Sequence, residues 1–187
     1  MAEEFDSIVR KPLLEYVPGW IKPNHLTALR AILLGPLIVF RGQSAVAVSI
    51  VLLSSLCDLF DGPLARIRKQ ATQTGAVFDA TMDKIFILGA FCFACSQVST
   101  EIIVIIFILD ALLTFIRPIK RLLKVKADAN PWGAAKVWTQ TTAICLDLLH
   151  DEWSVGFLSM ALYIAIFFAF CSLYMHLEEI VTHKKSN

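Results

Sequence analysis

Charge is scarce in this chain. Of 187 residues, 18% are Asp, Glu, Lys or Arg, against about 25% in soluble domains, and they sum to only +1. No global field exists to attract nucleic acid. Histidine is sparse as well: His25, His150, His176 and His183 are scattered near the ends of apolar runs and form no ligand set. Cysteine is too scarce, and odd in number, for a disulfide framework. Cys57, Cys92, Cys95, Cys145 and Cys171 lie in or beside apolar stretches, where cysteine behaves as a small hydrophobe. Cys92 and Cys95 make a CxxC, but among Phe91, Phe93 and Ala94, a setting that favours packing over redox chemistry or zinc. The first residues lack the basic start and apolar run of a secretory signal, and Glu3 and Glu4 argue against a mitochondrial transit peptide.

Apolar residues are abundant instead. Hydrophobic side chains make up 57% of the chain, and the mean hydropathy is +0.66. A chain of this size cannot bury so much apolar surface in one core, so part of it must face lipid. Six apolar stretches, about 24–41, 44–66, 75–98, 101–119, 133–150 and 154–177, are each long enough to span a bilayer, which takes roughly 17–25 residues. Short connections make neighbouring helices antiparallel. Ahead of them, Phe5, Ile8, Val9, Leu13, Tyr16, Val17 and Trp20 recur at helical spacing, with Arg10, Lys11 and Glu15 off the stripe. That pattern predicts an amphipathic juxtamembrane segment over 1–22, lying on the membrane surface, and an all-α six-helix membrane domain over 23–187.

Basic residues gather in alternate connections. Arg66, Arg68 and Lys69 follow the second stretch; Lys120, Arg121, Lys124 and Lys126 follow the fourth; Lys184 and Lys185 end the chain. The other connections hold Arg41, Glu101, Asp151 and Glu152. The positive-inside rule therefore predicts that both termini and the second and fourth connections are cytoplasmic.

Ionisable groups inside a membrane are costly and mark function by default. Asp58, Asp61, Asp79 and Asp83 fall at the cytoplasmic ends of the second and third stretches. The first two are three residues apart and the last two four apart, so each pair shares one helix face. A short loop joins the helices, and the pairs can meet. Four such carboxylates must take up protons or bind cations. All-oxygen donors suit Mg²⁺ or Mn²⁺ rather than zinc. Two ions about 3.5–4 Å apart would serve in-line displacement at phosphorus. Gly62, Ala65 and Gly75 offer close backbone approach, and Arg66 offers a fork for phosphate. Small residues packing helix against helix is the competing account for each of them alone.

The run Asp58, Asp61, Gly62, Ala65, Arg66, then eight residues, then Gly75, Asp79 and Asp83 resembles the signature of the CDP-alcohol phosphotransferases without gap or substitution. The resemblance implies a six-helix membrane enzyme, often a homodimer, that moves a phosphatidyl group from CDP-diacylglycerol to an alcohol and releases CMP. It also implies that Asp58, Asp61, Asp79 and Asp83 bind two divalent cations, Mg²⁺ or Mn²⁺, with Asp83 serving as general base. Asp58, Gly62, Ala65, Arg66 and Gly75 would hold the cytidine diphosphate. A weaker likeness, Pro23-Asn24-His25-Leu26-Thr27-Ala28-Leu29-Arg30, is similar to the start of the first span in phosphatidylglycerophosphate and cardiolipin synthases. Arg30 there needs an anionic partner, either one of the acids or a substrate.

In phosphatidylglycerophosphate synthases the fifth span begins Gly-Lys-x-Lys-Thr. Here Gly133, Lys136 and Thr139 match only with two residues inserted, and Trp138 replaces the second lysine. The expected acceptor is glycerol 3-phosphate, its phosphate held by Arg117, Arg121 and Lys136. Phosphatidylglycerol, inositol phosphate, serine and aminoalcohols are alternatives within the family. Asp110, seven residues before Arg117, is expected in an internal ion pair or in contact with Arg30 rather than in catalysis. The family also implies a multi-pass protein of the bacterial inner membrane. A carboxylate-lined cation transporter has no need of Arg66 or the glycines at these spacings. An intramembrane prenyltransferase would place its acidic motifs much farther apart in a longer bundle.

Overall fold

A computed structural model describes Pro18 and residues 22–123, 131–149 and 152–186. The expected amphipathic helix over 1–22 lies outside the described residues, save Pro18 and Lys22. For Gln73, Arg117, Pro118, Arg121, Glu152, Lys184, Lys185 and Ser186 the backbone is described and the side chain is not. Among the described residues there is no strand, and the chain runs through six long helices. These are α1 (Pro23–Phe40), α2 (Ser44–Ile67), α3 (Gln73–Gly89), α4 (Thr100–Leu122), α5 (Pro131–Leu149) and α6 (Glu152–Ser186); a π-helical turn, Ala90–Ala94, extends α3. Three are long and apolar enough to cross a membrane: α1, α2 and the Trp153–His183 part of α6.

The chain divides between Ala94 and Cys95 into two compact units. In the first, α1 packs against both α2 and α3. Pro23 opens α1 at its first position, where a missing N–H costs nothing and the fixed φ already suits a helix. Leu37, Ala47, Val51, Leu64, Phe86 and Phe91 are buried at the centre. Gly89 permits the approach of α1 to α3, because a Cβ there would collide with the side chain of Leu34. Pro36 and Pro63 stand inside α1 and α2. Each removes one backbone hydrogen bond, which membrane helices tolerate when neighbouring groups satisfy the freed carbonyl.

In the second unit α6 packs against α5 and α4. Leu109, Leu113 and Ala169 form a buried cluster with Ile166 and Leu173 beside it. Asp147 of α5 is fully buried and accepts the backbone N–H groups of Ser96 and Gln97, each at 2.8 Å, which ties the segment ahead of α4 to α5. Helix α6 has 35 residues, about 52 Å at 1.5 Å per residue, and runs well beyond the expected end at 177. No glycine or proline interrupts Leu177–Thr182, and the Thr182 hydroxyl bonds back to the Glu178 carbonyl at 2.8 Å.

Beside these apolar cores, the outer surface differs from that of a soluble protein. Ile32, Val39, Phe115, Leu122, Trp153, Tyr163 and Tyr174 are exposed, whereas Arg30, Asp61, Asp110, Lys120, Lys136, Asp147 and His176 are buried. A surface so apolar suits lipid rather than water, and the polar groups point inward, as membrane helices require. All five cysteines are free.

Candidate metal and nucleotide site

The four motif acids come together within the first unit because α2 and α3 are joined by a tight turn. Lys69 adopts φ 54° there, a left-handed conformation uncommon outside glycine. Thr72 then caps α3, its side chain accepting the Gly75 N–H at 3.0 Å. Helix α1 supplies the third wall. Its Thr27 hydroxyl donates to Asp61 Oδ2 at 3.0 Å, and Arg30, one turn on, enters the middle of the cluster.

Arg30 is 2% exposed. Its Nη1 lies 2.6 Å from Asp58 Oδ1, 3.1 Å from Asp79 Oδ1 and 4.0 Å from Asp61 Oδ2. Its Nη2 lies 2.6 Å from Asp83 Oδ1. The arginine therefore bridges α1 to both acid-bearing helices. The two possible partners weighed from the sequence resolve toward the acids. When all are ionised, four carboxylates and one guanidinium leave a formal charge of −3, a cluster still suited to cations.

The donor set fits a hard divalent ion. Asp58, Asp61 and Asp79 each offer one carboxylate oxygen, and these oxygens all lie within 4.8 Å of one another. Oxygen-only ligands of this kind suit Mg²⁺ or Mn²⁺. Asp83 joins the group through Arg30. Exposure differs within the set: the Asp61 side chain is 5% exposed, against 39% for Asp58 and 40% for Asp79. Asp61 thus anchors the base of the cluster, while the other two reach its open side.

Beside the acids lies a cavity of about 250 Å³ lined by Asp61, Gly62, Ala65, Arg66, Gly75 and Asp79. Every nucleotide-binding residue expected from the motif except Asp58 lines it. Asn24 and Thr27 of α1, and Gln70 and Thr72 of the turn, complete the wall. Asn24 and Thr27 belong to the Pro23–Arg30 run likened above to the start of a first span, though without an assigned role, and no motif singled out Gln70 or Thr72. Within that run Thr27 stands one turn before Arg30 on the same face. Gly62 leaves its face open, the nearest atom to a Cβ there being Arg66 Nη2 at 3.9 Å. Gly75 is constrained: a Cβ would stand 3.0 Å from Thr72 Oγ1 and 3.7 Å from Asn24 Oδ1, so a side chain would crowd the cap and the cavity wall together.

The residues expected to hold the acceptor phosphate belong to the second unit. Lys136 on α5 is 8% exposed, and its Nζ donates to Asp110 Oδ1 on α4 at 2.6 Å. Gln140 Nε2 approaches the other oxygen of Asp110 at 3.4 Å. The internal ion pair expected for Asp110 is present, and its partner is Lys136. Arg117 and Arg121 are helical within α4, but their side chains lie outside the described residues. Lys120, between them, is fully buried and bonded to Glu179 and, at 3.2 Å, to His176 Nδ1.

Comparison with known proteins agrees with the geometry. A family model described as CDP-alcohol phosphatidyltransferase matches residues 20–171. No curated protein matches the chain significantly. Among solved structures, the fold is similar to that of Mycobacterium tuberculosis phosphatidylinositol phosphate synthase, determined with CDP-DAG bound. The TM-score is 0.68 at 18% identity, over 92% of this chain and 93% of that one.

Proposed function

From the premise that the chain belongs to the CDP-alcohol phosphatidyltransferase family, we propose that it transfers a phosphatidyl group from CDP-diacylglycerol to glycerol 3-phosphate and releases CMP. The observation that carries this reading is the convergence of four carboxylates from α2 and α3 beside a cavity lined by Gly62, Ala65, Arg66 and Gly75. A cavity of about 250 Å³ with Asp61, Arg66 and Asp79 in its wall, at the end of membrane helices, suits the nucleotide head of a lipid whose tails stay in the bilayer.

In this reading Asp58, Asp61, Asp79 and Asp83 hold divalent ions, which supply positive charge to the phosphate oxygens. Gly62 and Gly75 let the nucleotide approach the backbone, and Arg66 pairs with a phosphate through its two-pronged guanidinium. Asp83 accepts the proton of the acceptor hydroxyl. The freed oxygen forms a bond to the phosphorus that carries diacylglycerol. The bond from that phosphorus to the bridging oxygen breaks, and CMP departs with the electron pair. Most of the catalysis in such a transfer is positioning and charge stabilisation. Arg117, Arg121 and Lys136 are proposed to receive the acceptor's phosphate. For Lys136 this requires an exchange of partner, since Asp110 holds it at 2.6 Å. A phosphorylated acceptor is the natural counterpart of three cations on α4 and α5.

The test is CMP release by the purified full-length protein with CDP-diacylglycerol and Mg²⁺. The acceptors offered are glycerol 3-phosphate, inositol phosphate, phosphatidylglycerol, serine and aminoalcohols. Glycerol 3-phosphate should give the highest kcat/KM. A better rate with another alcohol overturns the acceptor, and no CMP with any of them overturns the reaction.

A further inference from the structure

Arg30 faces the same oxygens that a divalent ion would use. Asp58, Asp61 and Asp79, whose oxygens converge within 4.8 Å, are the three acids that Nη1 faces at 2.6, 4.0 and 3.1 Å. Nη2 takes Asp83 at 2.6 Å. A guanidinium cannot shed its proton in a protein. Nor does this one lean toward water: the residue is 2% exposed, and its buried Nε has no hydrogen-bond partner. Its two Nη atoms, by contrast, are both taken by carboxylates. The position of the side chain follows the carboxylates.

Two effects of known sign follow. Before any ion binds, the guanidinium offsets the mutual repulsion of four carboxylates. Once an ion enters, it meets a like charge a few ångströms away, and its affinity falls. We propose that Arg30 is a resident counter-cation of this site, holding the four carboxylates together and competing with divalent ions for them. The proposal rests on reading the cluster as a metal site. It makes Arg30 a positioning residue: it acts through the acids and sets how tightly they take ions.

The test uses full-length protein in detergent, with Mn²⁺ as the probe. Bound Mn²⁺ is counted by electron paramagnetic resonance, and unfolding is followed by circular dichroism. Wild type should remain folded in excess chelator. Arg30→Gln should melt lower in chelator, gain more from Mn²⁺ than wild type does, and bind Mn²⁺ about tenfold tighter or more. A merely structural arginine predicts the reverse, because a disordered site binds ions more weakly. Arg30→Lys keeps the charge and should bind Mn²⁺ within about threefold of wild type. If Arg30→Gln folds only with Mn²⁺, the ion is replacing the missing charge, which supports the proposal. If it folds under neither condition, Arg30→Lys decides: near-wild-type affinity supports the role, and tighter binding or loss of the fold overturns it. Mn²⁺ bound by wild type but no more tightly by folded Arg30→Gln overturns the role of Arg30 alone. Wild type that binds no more Mn²⁺ than Asp61→Asn overturns the metal site itself.

Discussion

Asp61 and Asp83 carry the same functional group in different surroundings. Asp61 is 5% exposed at its side chain and held by the Thr27 hydroxyl, the setting of a fixed ligand. Asp83 is 23% exposed and held by Arg30, a setting open to an incoming hydroxyl. Asp83→Asn keeps the shape but removes the carboxylate proposed to accept the proton. Turnover should fall roughly 10²–10⁴-fold, while CDP-diacylglycerol still binds in a metal-dependent manner. Asp61→Asn should lose metal-dependent binding itself. Nucleotide-lipid binding and CMP release on the same preparations separate the two; loss of binding in Asp83→Asn would make that residue chiefly an ion ligand. Gly75→Ala belongs at this scale too. Its Cβ would press on Thr72 Oγ1 at 3.0 Å, so the cap must shift by a few tenths of an ångström at the cavity wall. The expected result is a raised KM for CDP-diacylglycerol with the acceptor KM unchanged.

Helices α4 and α5 are joined by a buried ion pair. Asp110 is 4% exposed and Lys136 8%, so removing one partner strands a charge. Lys136→Met should destabilise the protein by about 3–5 kcal/mol, and adding Asp110→Leu should recover most of that loss. Chemical denaturation in detergent measures both. The double variant also separates structure from chemistry. If Lys136 receives the acceptor phosphate, the restored fold will still show a raised acceptor KM. An unchanged acceptor KM would confine Lys136 to the ion pair. The contact between α1 and α3 is different in kind, because Gly89 is small where Leu34 needs room. Gly89→Val should cost about 1–3 kcal/mol through overpacking, read as a lower melting temperature.

Across the whole molecule, membrane orientation decides whether the site can meet cytoplasmic nucleotide. Gln70 lies in the turn between α2 and α3 and lines the cavity beside the acids, whereas Gln43 lies in the turn between α1 and α2. In a background with the native cysteines replaced, Gln70→Cys should react with membrane-impermeant thiol reagents only after the cell is opened. Gln43→Cys should react in intact cells. The expectation comes from the placement of Arg66, Arg68 and Lys69 against the sparsely basic first connection. The opposite labelling pattern would invert the orientation. Activity should also vanish in excess chelator and return with Mg²⁺ or Mn²⁺, and full turnover without divalent ions would exclude a metal-dependent transfer.

The apolar runs outlined the helices, and the family resemblance carried by the Asp58–Asp83 motif pointed to the reaction class. Lipid demands about 20 apolar residues for each span; each expected stretch falls on an observed helix, and three of these, α1, α2 and α6, are long and apolar enough to cross a membrane. The Asp-x-x-Asp and Asp-x-x-x-Asp spacings put each pair of acids on one face, because a helix turns every 3.6 residues. Other features were not legible. The π turn at Ala90–Ala94 and the left-handed Lys69 carry no sequence signal, since both depend on how neighbouring segments meet. The reach of α6 to Ser186 was missed because hydropathy ends a span where lipid ends, while backbone hydrogen bonding continues the helix into water. The partners of buried charges were decided only by tertiary structure. Arg30 lies 28 residues from Asp58 and 53 from Asp83 in sequence, and Lys136 lies 26 from Asp110. Sequence alone states that such charges need partners, because a lone one inside a membrane is too costly. Which partner each finds depends on which helix faces lie against each other, and that is settled by packing.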